Sequence, residues 1–162
     1  MSHHKKSKVV AEMKLSVTYS QIAVFDPSLA KPFNSWQPLH VAQGFAWRPG
    51  SASFRTLEEA GSIAVTVQLV DKIELVSGTI RAIQVPFSVG TSGTVEIASI
   101  SDHEQVTIPA GEYALIFETA RDEGSMWCRV SFCPKTSVEA LVLRADEALS
   151  PPSPLLMDTK PA

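Results

Sequence analysis

The chain has 162 residues, 44% hydrophobic and 19% charged, enough for one domain with a single core that needs no disulfide or metal. No apolar run approaches the roughly 18 residues of a membrane helix, and a net charge of −3 argues against nucleic acid as a direct ligand. The lysines Lys5, Lys6 and Lys8 lie in the first 13 residues against the single acid Glu12, so the rest of the chain is more acidic than the whole.

Residues 1–13 are basic and lack periodicity, and are expected to form a flexible tail. Glu12 and Lys14 break the apolar stretch that a signal peptide would need, so export by that route is not expected, and a cytoplasmic location is. His3 and His4 could hold a metal only with outside help. The remainder, 14–148, reads as a single domain.

Leu15, Val17 and Tyr19 alternate with polar neighbours as in a strand, which continues toward Phe25 with a change of phase near Ser20 and Gln21. A short helix is expected within 34–44, capped by Asn34 or Ser35, kept short by Pro38 and ended at Gly44. Phe45–Trp47 and Ala52–Phe54 form a hairpin around Pro49 and Gly50, where proline presets one φ and glycine accepts a positive one. Residues 56–61 read as a loop or one helical turn.

Ile63, Val65, Val67 and Leu69 mark the next strand, and Ile83, Val85, Phe87 and Val89 another, in which Pro86 calls for an edge or a bulge. Residues 89–95 form a turn. In "VTIPAGEYALIF", residues 106–117, a proline and glycine turn separates a short strand from one led by Tyr113, Leu115 and Phe117. Met126, Cys128, Val130 and Phe132 continue the pattern, while the proline-rich 149–162 read as a second flexible tail. About nine or ten short strands with little helix predict an all-β fold, an antiparallel β-sandwich, with an open barrel as the alternative.

No catalytic constellation stands out. Cys128 lies on an apolar face as a small core residue, and its distance of five positions from Cys133 points the two thiols to opposite faces, so no disulfide is expected. His40 and His103 have no partner at zinc-ligand spacing and read as surface or loop histidines. No cofactor or metal is expected. The features that suggest binding are acidic pairs in loops, Glu58 and Glu59, Asp102 and Glu104, Asp122 and Glu123, together with Trp127 on the outward face of its strand. Singly, each pair is also what a solvated loop carries.

The collinear set "LSVTYSQIAVF", "NSW", "GFAW", "SASF", "IQVPFSV", "VEIASI" and "VTIPAGEYAL" resembles the competence protein J family over roughly 14–119. The resemblance implies a non-catalytic inhibitor of the nuclease used in bacterial DNA uptake, acting on the nuclease rather than on DNA. Its partner would then be a protein, and the loop carboxylates would meet the basic groove that otherwise holds phosphates. Tyr19, Phe54, Pro86, Phe87, Gly111 and Tyr113 match as structural positions. The alternative is a module binding a carbohydrate or lipid through Trp36, Trp47 and Trp127. An enzyme using His40, His103 and nearby carboxylates ranks third.

Overall fold

The computed structural model describes residues 7–162, which form eleven strands and one short helix. In chain order these are β1 (Ser7–Val17), β2 (Gln21–Phe25), α1 (Pro38–Gln43), β3 (Phe45–Arg48), β4 (Ser51–Arg55), β5 (Gly61–Val70), β6 (Arg81–Val89), β7 (Thr94–Ala98), β8 (His103–Thr107), β9 (Gly111–Asp122), β10 (Ser125–Pro134) and β11 (Leu141–Arg144). One sheet has the order β1-β5-β10-β9-β6-β11 and the other β3-β4-β2-β7-β8. The expected all-β sandwich is present.

Its core is where the alternating patterns place it. Val65, Val67, Ile83, Val85, Leu115, Phe117, Val130 and Phe132 from the first sheet meet Ile22, Val24, Phe54, Val95 and Ile97 from the second, all within one buried cluster. Phe54 and Phe117 stack across the two layers with centroids 4.8 Å apart. Burying one such ring stabilises the fold by about 1.5–3 kcal/mol. The "IPAGEY" turn is fixed by its tyrosine, whose hydroxyl donates to the Pro109 carbonyl at 2.6 Å while the ring packs on Phe132.

Five expectations are corrected. The sandwich is not wholly antiparallel, because β5 and β10 pair in parallel. This follows from the crossover between β5 and β6: two strands running the same way need a connection that returns over a face of the sheet. Residues 71–80 provide it, pegged down where Glu118 accepts from the Val76 amide and the Thr79 hydroxyl.

The head is not a free tail up to residue 13, since 7–13 belong to β1 and pair with β5 from Ser7↔Val70 onward; residues 1–6, with His3 and His4, lie outside the described residues. The β5 strand supplies a ladder that overrides the weak local pattern. The helix begins at Pro38 rather than at Asn34 or Ser35, because proline needs no hydrogen-bond partner for its nitrogen in a first turn. Gly44, at φ 90°, ends it as expected.

The end of the chain is packed as well. Leu149 is buried, Leu155 and Met157 lie against the core, and the Leu156 amide and carbonyl both bond the side chain of Gln43. Further along, the Ser35 amide donates to Lys160 and the Ala162 amide to Phe33. The buried His40 accepts from the Gln37 amide through Nδ1 and donates from Nε2 to the Asp158 carbonyl, so it is a structural residue rather than a surface one.

Pro86 explains itself through β11. This strand pairs β6 at Ala82, Ile83 and Gln84 and stops there, so β6 is an edge where the proline sits.

Candidate protein-docking site

Strand pairing brings four connections to one end of the sandwich. Val17↔Gly61 closes β1 and opens β5, Gln21↔Arg55 places the start of β2 beside the end of β4, Ala98↔His103 joins β7 to β8, and Asp122↔Ser125 joins β9 to β10. Hence 18–20, 56–60, 99–102 and 123–124 are neighbours in space.

Backbone and side-chain bonds lock these connections together. The Ser20 amide donates to the Glu59 carbonyl at 2.9 Å and the Thr56 amide to the Ser20 carbonyl at 2.9 Å. From the other side, Asp102 Oδ2 accepts from the Ser16 amide, and the hydroxyls of Thr18 and Ser101 lie 3.4 Å apart. Beneath them the buried Arg81 donates to the carbonyls of Arg55 and Thr56, fixing the connection that carries Glu58 and Glu59.

The acidic pairs converge here. Glu58 and Glu59 are exposed on the connection between β4 and β5, and Asp122 and Glu123 on the hairpin turned by Gly124 at φ 70°. Glu58 of the first pair and Asp122 of the third share a cleft of about 260 Å³ lined also by Arg121 and Met126. Arg121 meets Glu58 at 2.6 Å with both side chains about half exposed, a pair worth at most about 1 kcal/mol. Glu59, Asp122 and Glu123 are left facing solvent as carboxylates.

The middle pair divides. Asp102 is half-buried, and both its oxygens are occupied, by the Ser16 and His103 amides, so its first task is to hold the connection. Glu104 is exposed on the edge strand β8, beside His103, which meets Glu96 at 2.7 Å. Trp127 is half-buried on the outer face of the first sheet between Ala64 and Ala120, beside this end rather than on it.

One residue of the site escapes the sequence pattern. Tyr19 was expected to face inward after Leu15 and Val17, yet it is 73% exposed. Tyr19 and Ser20 both adopt left-handed backbone, with φ 57° and 59°, which ends β1 and turns the ring outward. The phase change near Ser20 and Gln21 is the signal that betrays the break. Beside Tyr19 lies a cleft of about 360 Å³, lined also by Ser20, Trp36, Val41 and Arg55.

The residues that could carry other chemistry are dispersed. The Cys128 thiol is pushed well up by burial, with Glu118 adding to the effect, so it stays protonated. His40 lies in α1 against β3 and His103 on β8, which are opposite edges of one sheet. Among the described residues no group of three or more His, Cys, Asp or Glu could hold a metal ion. The tryptophans named for ligand binding make no common platform: Trp47 donates to the Pro86 carbonyl, Trp36 lies beside α1 and Trp127 faces outward.

The model of the competence protein J (ComJ) family matches residues 14–133. Among solved structures, the chain is similar to ComJ from Bacillus subtilis, described as an inhibitor of the DNA degrading activity of NucA, at TM-score 0.70 and 23% identity over 80% of this chain and 99% of that one. It is also similar to the protein described as crocagin biosynthetic gene J, at TM-score 0.55 and 14% identity over 80% of this chain and 99% of that one. Among curated proteins no sequence match was found.

Proposed function

The chain belongs to the competence protein J family, and from that premise we propose that it is a non-catalytic inhibitor of a DNA-cleaving nuclease, docking through the acidic end of its sandwich. The family match over 14–133, which spans both sheets and all four connections at that end, is the observation that carries the reading. Its geometry supports a mechanism. A nuclease cleft must be basic to hold phosphates, and Glu58, Glu59, Asp122 and Glu123 offer carboxylates to such a groove while Arg81 holds the connection that carries Glu58 and Glu59.

The sandwich contributes by being stiff. Loops fixed by backbone bonds, such as that between Ser20 and Glu59, lose little freedom on binding, so more of the contact energy appears as affinity. The inhibitor would block the cleft by occupying it, with no group of its own reacting. A cytoplasmic setting goes with this reading, supported by the two unpaired thiols Cys128 and Cys133.

The test is a titration of the purified chain into DNA cleavage by NucA and by a DNA-uptake nuclease from the same organism as the chain. Cleavage should fall to a stoichiometric end point, and a complex of nuclease and inhibitor should elute together without DNA. Unimpaired cleavage by both nucleases at tenfold excess, with no complex, overturns the proposal.

A further inference from the structure

The carboxylates account for attraction but leave the centre of the surface unexplained. There stands Tyr19, 73% exposed, with the connection of Glu58 and Glu59 bonded to the adjoining Ser20 on one side and Asp102 bonded to Ser16 on the other. Exposed apolar side chains flank it at the same end: Val41, 41% exposed, across the shared cleft, and Ile100, 43% exposed, on the connection whose Ser101 meets Thr18. A large aromatic ring at the middle of a surface, ringed by polar groups, is the arrangement of interface hot spots.

The backbone strengthens the case for this ring. Two successive non-glycine residues in left-handed conformation are strained and persist only where surrounding bonds impose them. Here those bonds, from Ser20 to Glu59 and from Thr56 to Ser20, fix the ring outward instead of letting the strand continue and bury it.

Resting on the nuclease-inhibitor reading, we propose that Tyr19, with Val41 and Ile100, is the apolar anchor that enters the nucleic-acid cleft of the nuclease, and that the acidic residues form its rim. Charge selects the occupant: Glu59, Asp122 and Glu123 at this end are exposed and in no ion pair among the described residues, and such an acidic rim favours a basic groove over an acidic or purely apolar one. Clefts that hold single strands carry arginine, lysine and aromatic side chains on which bases stack. A tyrosine ring offers the same flat π-face, to which an arginine or lysine is attracted as it is to a base.

The test measures affinity for NucA and for the same-organism nuclease with the full chain and four variants. Tyr19→Asn, which tolerates left-handed backbone, should weaken binding about 30-fold or more, the loss typical of a hot spot. Tyr19→Phe, which keeps the ring, should stay within about threefold, and Val41→Asn should lose about tenfold by placing an amide against the partner's apolar contact. Glu112→Gln, at the opposite end of the sandwich, should change nothing. Thermal unfolding of each variant should match that of the parent, because neither Tyr19 nor Val41 is buried.

If the parent chain binds and inhibits but Tyr19→Asn and Val41→Asn do so equally well, the anchor is wrong and the inhibitor reading stands. If the parent chain inhibits neither nuclease, both fall together. Loss in Tyr19→Asn with retention in Tyr19→Phe supports the anchor.

Discussion

Arg81 and Asp146 are joined by two parallel hydrogen bonds, Nε to Oδ1 at 2.7 Å and Nη2 to Oδ2 at 2.9 Å. The guanidinium is 2% exposed and also donates to the Arg55 and Thr56 carbonyls, so one side chain ties β6, the end of β4 and the chain beyond β11. Removing the carboxylate strands a buried charge, which typically costs about 3–5 kcal/mol. Asp146→Ala should therefore lower urea stability by that order and loosen the connection carrying Glu58 and Glu59, read as faster amide exchange at 56–60.

The same pair sets a pH dependence. The hydrogen bond from Arg81 holds the Asp146 carboxyl below its ordinary range, against the opposing effect of burial. A carboxylate depressed in the folded state contributes stability that is complete above its unfolded value of about 3.9 and lost as pH falls through the folded value. Unfolding curves of the parent should thus lose stability below about pH 4 more steeply than those of Asp146→Asn, with the two converging at the acid end. Parallel acid limbs would contradict the assignment.

Glu118 gives a third prediction at the opposite face. Its Oε1 accepts from the Val76 amide and the Thr79 hydroxyl at 2.8 and 2.9 Å, and Oε2 accepts from Arg129 Nε at 2.8 Å. A glutamine there must present its amide nitrogen to one of these donors. Glu118→Gln should cost about 2–4 kcal/mol, and the Val76 amide should lose its protection from hydrogen exchange before the sheet does.

The burial of both thiols leads to a simpler measurement. Cys128 and Cys133 are free and buried on opposite faces of β10, and burial raises both thiols above their ordinary range. Reaction requires an exposed thiolate. A disulfide reagent should label neither cysteine in the native chain at pH 8 and both in denaturant, and native labelling on a timescale of minutes would refute the packing.

What could be read from the sequence was what depends on near neighbours. Ile63, Val65 and Val67 announce a strand with one buried face because a side chain two positions away shares its surroundings, and Pro49 and Gly50 announce their hairpin because a turn is local. The parallel pair β5 and β10 could not be read, since it depends on 71–80 crossing two strands and being caught by Glu118 from 42 positions away. Glu58 and Glu59 were recognisable as loop carboxylates, but the cleft that Glu58 shares with Asp122 is a property of register. Tyr19 was misread because alternation cannot announce where it stops. Two left-handed residues reverse the direction of a side chain without altering composition, and the bonds that impose them come from Thr56 and Glu59.

The rim and the anchor should separate in kinetics. Unpaired carboxylates act at long range and raise the rate of encounter with a basic cleft, an effect that salt screens over about 10 Å at 0.1 M. Reversing Asp122 and Glu123 together to lysine should slow association with the nuclease about tenfold or more at low salt, and the difference should shrink as salt is raised toward 0.5 M. Because both side chains are exposed and make no ion pair among the described residues, unfolding should be unchanged. Tyr19→Asn should instead leave association nearly constant and speed dissociation, since an apolar contact forms only after docking. Stopped-flow association and dissociation rates for the two variants decide this, and equal effects on both rates in each would mean that charge and ring do not divide the work as argued.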